Sequence, residues 1–274
     1  MHEKIIISFT SWAPRFENIP RVLDSIYAQT LLPDKVVFNL SKGDTLPESI
    51  LQYLENHNVE IYEVPDTKVY KKLLPTLMRY PNDCIIAIDD DWIYPKTMIE
   101  DFVELHHLYP NNPISGNRVF LHGLKCHCGC ASLTKAEYFG NYISCIDEEV
   151  IKNCLSDDIV YSFFATKAGH PYVFTRNEYF ENMQECSPAS PYTQKEDNQI
   201  WSTINYLNHR FGVVMLDFSN YLTDPMLKEL YQYHIVDREL QSFEQGCAKI
   251  RLTHSYRLGA FLLKPFKWIK KVVS

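Results

Sequence analysis

The chain has 274 residues, 46% of them apolar and 22% charged, a net charge of −7, and 9 Gly against 18 Tyr and 15 Phe. That profile excludes a disordered chain and leaves aromatic rings both for a core and for lining a cleft. A nucleic-acid binder would carry a basic surplus, so no nucleic-acid partner is expected.

Lys4–Ser8 is a short β-branched apolar run, read as a buried parallel strand that opens into the loop Phe9–Arg15. Ile19, Val22, Leu23, Ile26 and Tyr27 recur at helical spacing, with Pro20 suited to a first turn. Strands at Lys35–Leu40 and Val59–Val64 alternate with helices at Pro47–Asn56 and Tyr70–Met78. A fourth strand, Asp83–Ile88, runs directly into Asp89, Asp90 and Asp91. Such alternation predicts a parallel sheet covered on both faces, with ligands beyond the carboxyl ends of its strands.

The second half is less regular. Helices are expected at Lys96–Tyr109, Asp147–Cys154, Asp158–Ala168 and Glu196–Phe211, and strands near Ile114–Leu121, Tyr172–Phe174 and Val213–Leu216. A break near Leu222–Pro225 divides a catalytic body, residues 1–224, from a helical extension, residues 225–274.

Three adjacent carboxylates behind an apolar strand would repel one another if left unpaired, and each would lose solvation. A divalent cation removes that cost. Mn²⁺ or Mg²⁺ is the expected cofactor, since both favour carboxylate and phosphate oxygens. Asp89 and Asp91 point the same way from an extended chain, so one can meet the metal and the other sugar or ribose hydroxyls. A solvated turn with helix-capping Asp residues is the plainer alternative.

In order along the chain, IIISFTSWAPR, SIYAQTLLPDKVVFNLS, YKKLLPTLMRYPNDCIIAIDDDWIYP and LSDDIVYSFFATKAG cover roughly residues 4 to 170. Together they resemble the inverting GT-A glycosyltransferases of bacterial capsule, lipopolysaccharide and cell-wall polysaccharide synthesis. The resemblance implies a Rossmann-like nucleotide-sugar-binding fold with a mostly parallel sheet. It implies a nucleotide-sugar donor, with UDP as the usual carrier, and a glycan or lipid-linked glycan acceptor.

The resemblance also assigns residues. Phe9, Thr10 and Ser11 would receive base and ribose, with Trp12 as a stacking ring or a core residue, and Asp66 would contact the base. Asp89 and Asp90 would face the donor. Asp91, with Asp89, would hold the metal, and a late His254 would complete that site. An acidic pair opening a helix would supply the general base, Asp158 before Asp157; in the plainer reading Ser156 or Asp157 caps the helix and the acidic residues there favour its dipole. Arg15 suits a phosphate, as a guanidinium can make bidentate contacts. Lys72 or Lys71 would help neutralise the diphosphate.

Two rivals share parts of this pattern. A haloacid-dehalogenase-type phosphatase also ends an apolar strand in D-x-D, although position 93 is Ile where Thr or Val is expected. A non-catalytic nucleotide or carbohydrate binder would need no base. Cys126, Cys128 and Cys130 sit at i, i+2 and i+4 with no partner C-x₂-C pair following, so structural zinc is not expected, and the resemblance places this stretch near the donor sugar and acceptor. No secretory leader is recognisable at the start, so reduced thiols and a cytoplasmic setting are expected. The basic, aromatic stretch 258–273 suits either peripheral contact with the inner-leaflet membrane surface or packing on the body.

Overall fold

The computed structural model describes residues 3–116, 119–121, 124–126, 131–175, 183–186 and 196–214. The chain divides into two compact units, Met1–Leu216 and Asp217–Ser274. The second unit lies outside the described residues, and with it the expected helical extension and His254.

The first unit is α/β, built on a mostly parallel seven-stranded sheet. β1 (Ile5–Phe9), β2 (Lys35–Ser41), β3 (Glu60–Val64) and β4 (Cys84–Ile88) are joined through α1 (Ile19–Tyr27), α2 (Glu48–Asn56) and α3 (Leu74–Arg79). The segment Trp92–Ile93 (β5) follows the acidic triplet, and α4 (Met98–Leu108) follows β5. Next come β6 (Ile114–Ser115), the hairpin β7 (Val119–Leu121) and β8 (Leu124–Cys126), and β9 (Ala131–Thr134). Among the described residues a 3-10 segment (Ala136–Cys145), α5 (Glu148–Asn153), α6 (Asp157–Lys167), β10 (Val173–Phe174), β11 (Gln184–Glu185) and a helix over Glu196–Phe211 follow.

The sheet order is β3-β2-β1-β4-β9-β6-β10. β1 pairs in parallel with both β2 and β4, placing Ile7 opposite Val36 and Ile86. β9 runs antiparallel between β4 and β6. Every residue of β4 is buried, and only Ile5 of β1 is partly open, as a strand covered on both faces requires. Apolar side chains of β1, β2 and β4 (Ile6, Val37 and Ile85) form one core with Phe139, Tyr161, Phe163 and Phe164.

Several expectations change in detail. The helix expected over Tyr70–Met78 is a tight 3-10 turn, Lys68–Lys72, followed by α3. Pro75 has no N–H to continue a helix but fits the first turn of a new one, where that hydrogen bond is not needed. Residues 213–214 are not strand; the preceding helix stops at Gly212, whose φ of 82° is open to glycine at little cost. Residues 215–216 lie outside the described residues. β9 was not expected: ASLT is too short to show periodicity, and it earns its place by pairing with β4. Among the described residues no helix is long and apolar enough to cross a membrane.

Candidate active site

Parallel strands β1 to β4 all deliver their following loops to one rim of the sheet. Residues 10–15, 65–68 and 89–91 therefore converge although they are far apart in sequence. A buried polar network fixes this rim. Ser8 Oγ donates to the Lys72 carbonyl at 2.5 Å and lies 2.6 Å from Thr76 Oγ1. Asn39 Nδ2 donates to the same Thr76 oxygen at 2.8 Å, and Thr10 Oγ1 donates to the Asn39 carbonyl at 2.7 Å. These bonds hold the 3-10 turn carrying Lys71 and Lys72 against the ends of β1 and β2.

The acidic triplet is divided between two cations. Arg15 Nη1 lies 2.9 Å from both Asp90 Oδ1 and Asp91 Oδ2. Ser11 Oγ donates to the second Asp90 oxygen at 2.5 Å. Asp89 pairs with the other cation, 3.0 Å from Lys72 Nζ. The same ammonium is 3.3 Å from Asp157 Oδ2 and 3.5 Å from Asp158 Oδ1. Lys72 thus joins the end of β4 to the start of α6. Tyr94 braces this end of β4, its hydroxyl accepting from the Asp89 N–H at 2.9 Å. The rim beside Asp91 is closed by β11, antiparallel to β5, with the Cys186 N–H on the Asp91 carbonyl at 2.6 Å.

The electrostatics are out of balance. Among the described residues, the ion pairs of five carboxylates (Asp89, Asp90, Asp91, Asp157 and Asp158) run to two cations, Arg15 and Lys72. Burial pushes Asp89 up to about 8, opposed by Lys72 and reinforced by Asp158, Asp91 and Asp157. Burial also raises Asp91 against the pull of Arg15. Asp157 is raised by burial, with Lys72 lowering it and Asp158 raising it. For Lys72 burial acts downward, but Asp157, Asp158 and Asp89 outweigh it and hold the ammonium charged.

Beside this cluster is a cavity of about 550 Å³, lined in part by Thr10, Ser11, Trp12, Ser41, Asp66 and Lys71. Trp12 is 42% exposed, so its ring lines the opening instead of filling the core. Lys71 Nζ is 2.7 Å from Asp66 Oδ1 and also donates to Ser41 Oγ. That hydrogen bond from Lys71 lowers the Asp66 pKa. The Lys71 side chain is 6% exposed and that of Asp66 64%, so the ammonium lies inside and the carboxylate at the mouth.

Most of the residues selected from sequence meet here, though not always in the role expected. Thr10, Ser11, Asp66 and Asp90 line the cavity. Phe9 does not: it is 1% exposed and stacks on Phe38 at 4.7 Å. Arg15 holds two Asp side chains, and Lys72 neutralises carboxylates at both ends of the site. All three members of the triplet therefore have a protein cation beside them, so their proximity alone does not demand a metal. Asp157 is not a capping residue. It belongs to α6, and the N-cap, Ser156, makes no side-chain cap. Sequence reasoning passed over Ser41, Tyr94 and the Ser8–Asn39–Thr76 network. The last had a readable signal, a polar residue inside each of two otherwise apolar strands.

The fold and geometry together define an α/β protein with a cavity at the carboxyl rim of a mostly parallel sheet. No family model matches the chain, and no curated protein matches its sequence. Among solved structures, it is similar to 4-diphosphocytidyl-2C-methyl-D-erythritol synthase, with a TM-score of 0.44 and 11% identity over 74% of this chain and 99% of that one. It is also similar to S. aureus TarS 1-349 in complex with UDP, with a TM-score of 0.48 and 12% identity over 80% of this chain and 74% of that one. Both likenesses are remote, and the chemistry has to be read from this chain's own side chains.

Proposed function

We propose that the chain is a metal-dependent glycosyltransferase that moves a sugar from a nucleotide-sugar, with UDP as carrier, to a glycan or lipid-linked glycan acceptor, with inversion. One observation carries this reading: a rim of five carboxylates short of cations adjoins a cavity of nucleoside size. The donor set is all hard oxygen, which fits Mg²⁺ or Mn²⁺. Asp89 and Asp91 would hold the ion, and when bound it supplies positive charge to a diphosphate leaving group.

Thr10, Ser11, Trp12 and the Asp66–Lys71 pair are the groups available to a base and ribose. Asp158 is the better general base of its pair, being 17% exposed where Asp157 is 5%. As the acceptor oxygen bonds to the anomeric carbon, its proton passes to Asp158 and the bond from that carbon to the diphosphate oxygen breaks. Asp157, deeper and beside Lys72, is the reserve for that role. Bacterial surface polysaccharide synthesis at the cytoplasmic membrane face is the setting proposed for this activity.

The test is calorimetric titration of UDP into the full chain with and without Mn²⁺, followed by a screen of nucleotide-sugars for metal-dependent release of UDP. Metal-dependent binding in the micromolar range together with UDP release supports the reading. Binding without turnover on any donor and acceptor would leave a carbohydrate or nucleotide binder, and phosphate release from simple phosphoesters would point to a phosphatase.

A further inference from the structure

A second group of ligand-type side chains lies at the opposite end of the sheet, where β1 and β4 begin. The Glu3 carboxylate, the Cys84 thiol and the His106 imidazole each place one donor atom within 4.8 Å of the others. Glu3 precedes β1, Cys84 opens β4 and His106 is in the last turn of α4. Cys84 and His106 are buried.

The hydrogen bonds around His106 orient its ring. Its Nδ1 lies 3.3 Å from the Tyr138 hydroxyl. That hydroxyl donates its single proton to the Pro110 carbonyl at 2.7 Å, so toward His106 it can only accept. Nδ1 therefore carries the ring hydrogen, and in a neutral imidazole Nε2 is left with a lone pair. This lone pair faces Glu3 Oε2 at 3.5 Å. The Cys84 thiol hydrogen-bonds Glu3, yet the Nε2 lone pair still faces a carboxylate oxygen, and a cation among the three donors would replace the thiol proton. Lys135 does not fill that place: its ammonium is 2.7 Å from the other oxygen, Glu3 Oε1, and is shared with Glu137.

We propose that Glu3, Cys84 and His106 form a second metal site, suited to a borderline cation of the zinc class and completed by a water. Sulfur and imidazole nitrogen select such an ion over Mg²⁺ or Mn²⁺, which distinguishes this site from the all-oxygen rim. The Tyr138 contact is the outer-shell bond that fixes the ring of a ligating His. Tetrahedral bonds of about 2.0–2.3 Å need the donors to draw in by roughly 1 Å. On binding, Cys84 loses its proton to solvent. The thiolate, Glu3, Glu137 and Lys135 then carry two net negative charges, which a dication cancels. The ion would fasten the starts of two central strands to the end of α4.

Cobalt(II) titrated into the full chain, with a non-thiol reductant, tests this. The expected result is one equivalent that produces thiolate-to-cobalt charge-transfer absorption and is displaced by zinc. Cys84→Ala should abolish that absorption, and Asp91→Asn should leave it unchanged. Tyr138→Phe should keep it but weaken cobalt binding by roughly 10-fold or more. Should Cys84→Ala fail to fold, Glu3→Gln gives the same reading, because Glu3 is only partly buried: weaker binding supports the site and unchanged affinity overturns it. Absorption that survives Cys84→Ala would assign the metal to other thiols. Absence of a thiolate band altogether would mean that a protonated His106 satisfies Glu3 instead. Either result overturns the proposal.

Discussion

Asp89 and Glu60 are carboxylates at opposite ends of two strands three places apart in one sheet, and their surroundings push them in opposite directions. Glu60, at the start of β3, accepts from Lys35, from the Tyr80 hydroxyl at 2.6 Å and from the Tyr62 hydroxyl at 2.8 Å. Hydrogen bonds from Lys35 and Tyr80 pull it down to about 2. Asp89, at the end of β4, shares Lys72 with two other carboxylates and is pushed up to about 8 by burial. Glu60 has three donors to itself, whereas Asp89 shares one ammonium with two other carboxylates. The first arrangement holds a structure together, whereas the second has the crowding of perturbed carboxyls that the proposed cation would relieve.

The contrast is broken most severely at the proposed base. Asp158→Asn should lower turnover by about 10²–10⁴-fold while UDP affinity in the presence of Mn²⁺ stays within a few-fold, read from kcat and from calorimetry. Near-normal turnover would remove Asp158 from the mechanism. Next in size is Lys72→Met, which leaves Asp89, Asp157 and Asp158 without their shared ammonium. Removing one partner of a buried ion pair costs about 3–5 kcal/mol, so the melting temperature should fall by roughly 10 °C. A fall of only a degree or two would mean that the carboxylates take up protons readily and that Lys72 is dispensable to the fold.

The two carboxylates also differ in how far the sequence disclosed them. The triplet was legible because three Asp residues after Cys84–Ile88 break an apolar run, and strand–helix alternation places that break at a ligand-binding rim. Asp157 and Asp158 were legible as a pair, but not that Lys72 would bridge them to Asp89. That bridge depends on a 3-10 turn, which Pro75 allows and which helical periodicity over Tyr70–Met78 conceals. Glu60 gave no signal at all. Its partners Lys35, Tyr62 and Tyr80 come from β2, from β3 itself and from the end of α3, and only strand register brings them together. The same holds for β9, whose four residues acquire meaning from pairing with β4. Local pattern revealed elements and their ends, while side-chain partnerships across elements stayed hidden.

A smaller effect, and one of opposite sign to most Asp replacements, is expected at the rim itself. In the absence of metal, Asp89→Asn replaces a carboxyl that at neutral pH must take up a proton to stay buried among three neighbouring carboxylates. It should raise the melting temperature by a few degrees, on the order of 1 kcal/mol, while abolishing Mn²⁺-dependent UDP binding. A destabilised Asp89→Asn protein would show that the Lys72 pair outweighs the crowding.

The smallest effect lies in the pH response, where the two carboxylates should be separable by sign. A folded pKa of about 8 for Asp89 exceeds the ordinary unfolded value, so the folded state holds a proton that the unfolded chain has lost. Metal-free stability should therefore rise as pH falls from about 8 toward about 4, and Asp89→Asn should flatten that slope. Glu60 runs the other way. Its folded pKa of about 2 lies below the ordinary value, so its contribution is complete above about pH 4.3 and is lost as pH falls toward 2. The Glu60 side chain is 32% exposed, and solvent screening keeps the contribution near or below about 1 kcal/mol. Chemical unfolding of the wild type and Glu60→Gln across this range is the measurement. The two stabilities should differ at pH 6 and converge near pH 2; a difference that persists at pH 2 would place the Glu60 contribution in packing and not in its charge.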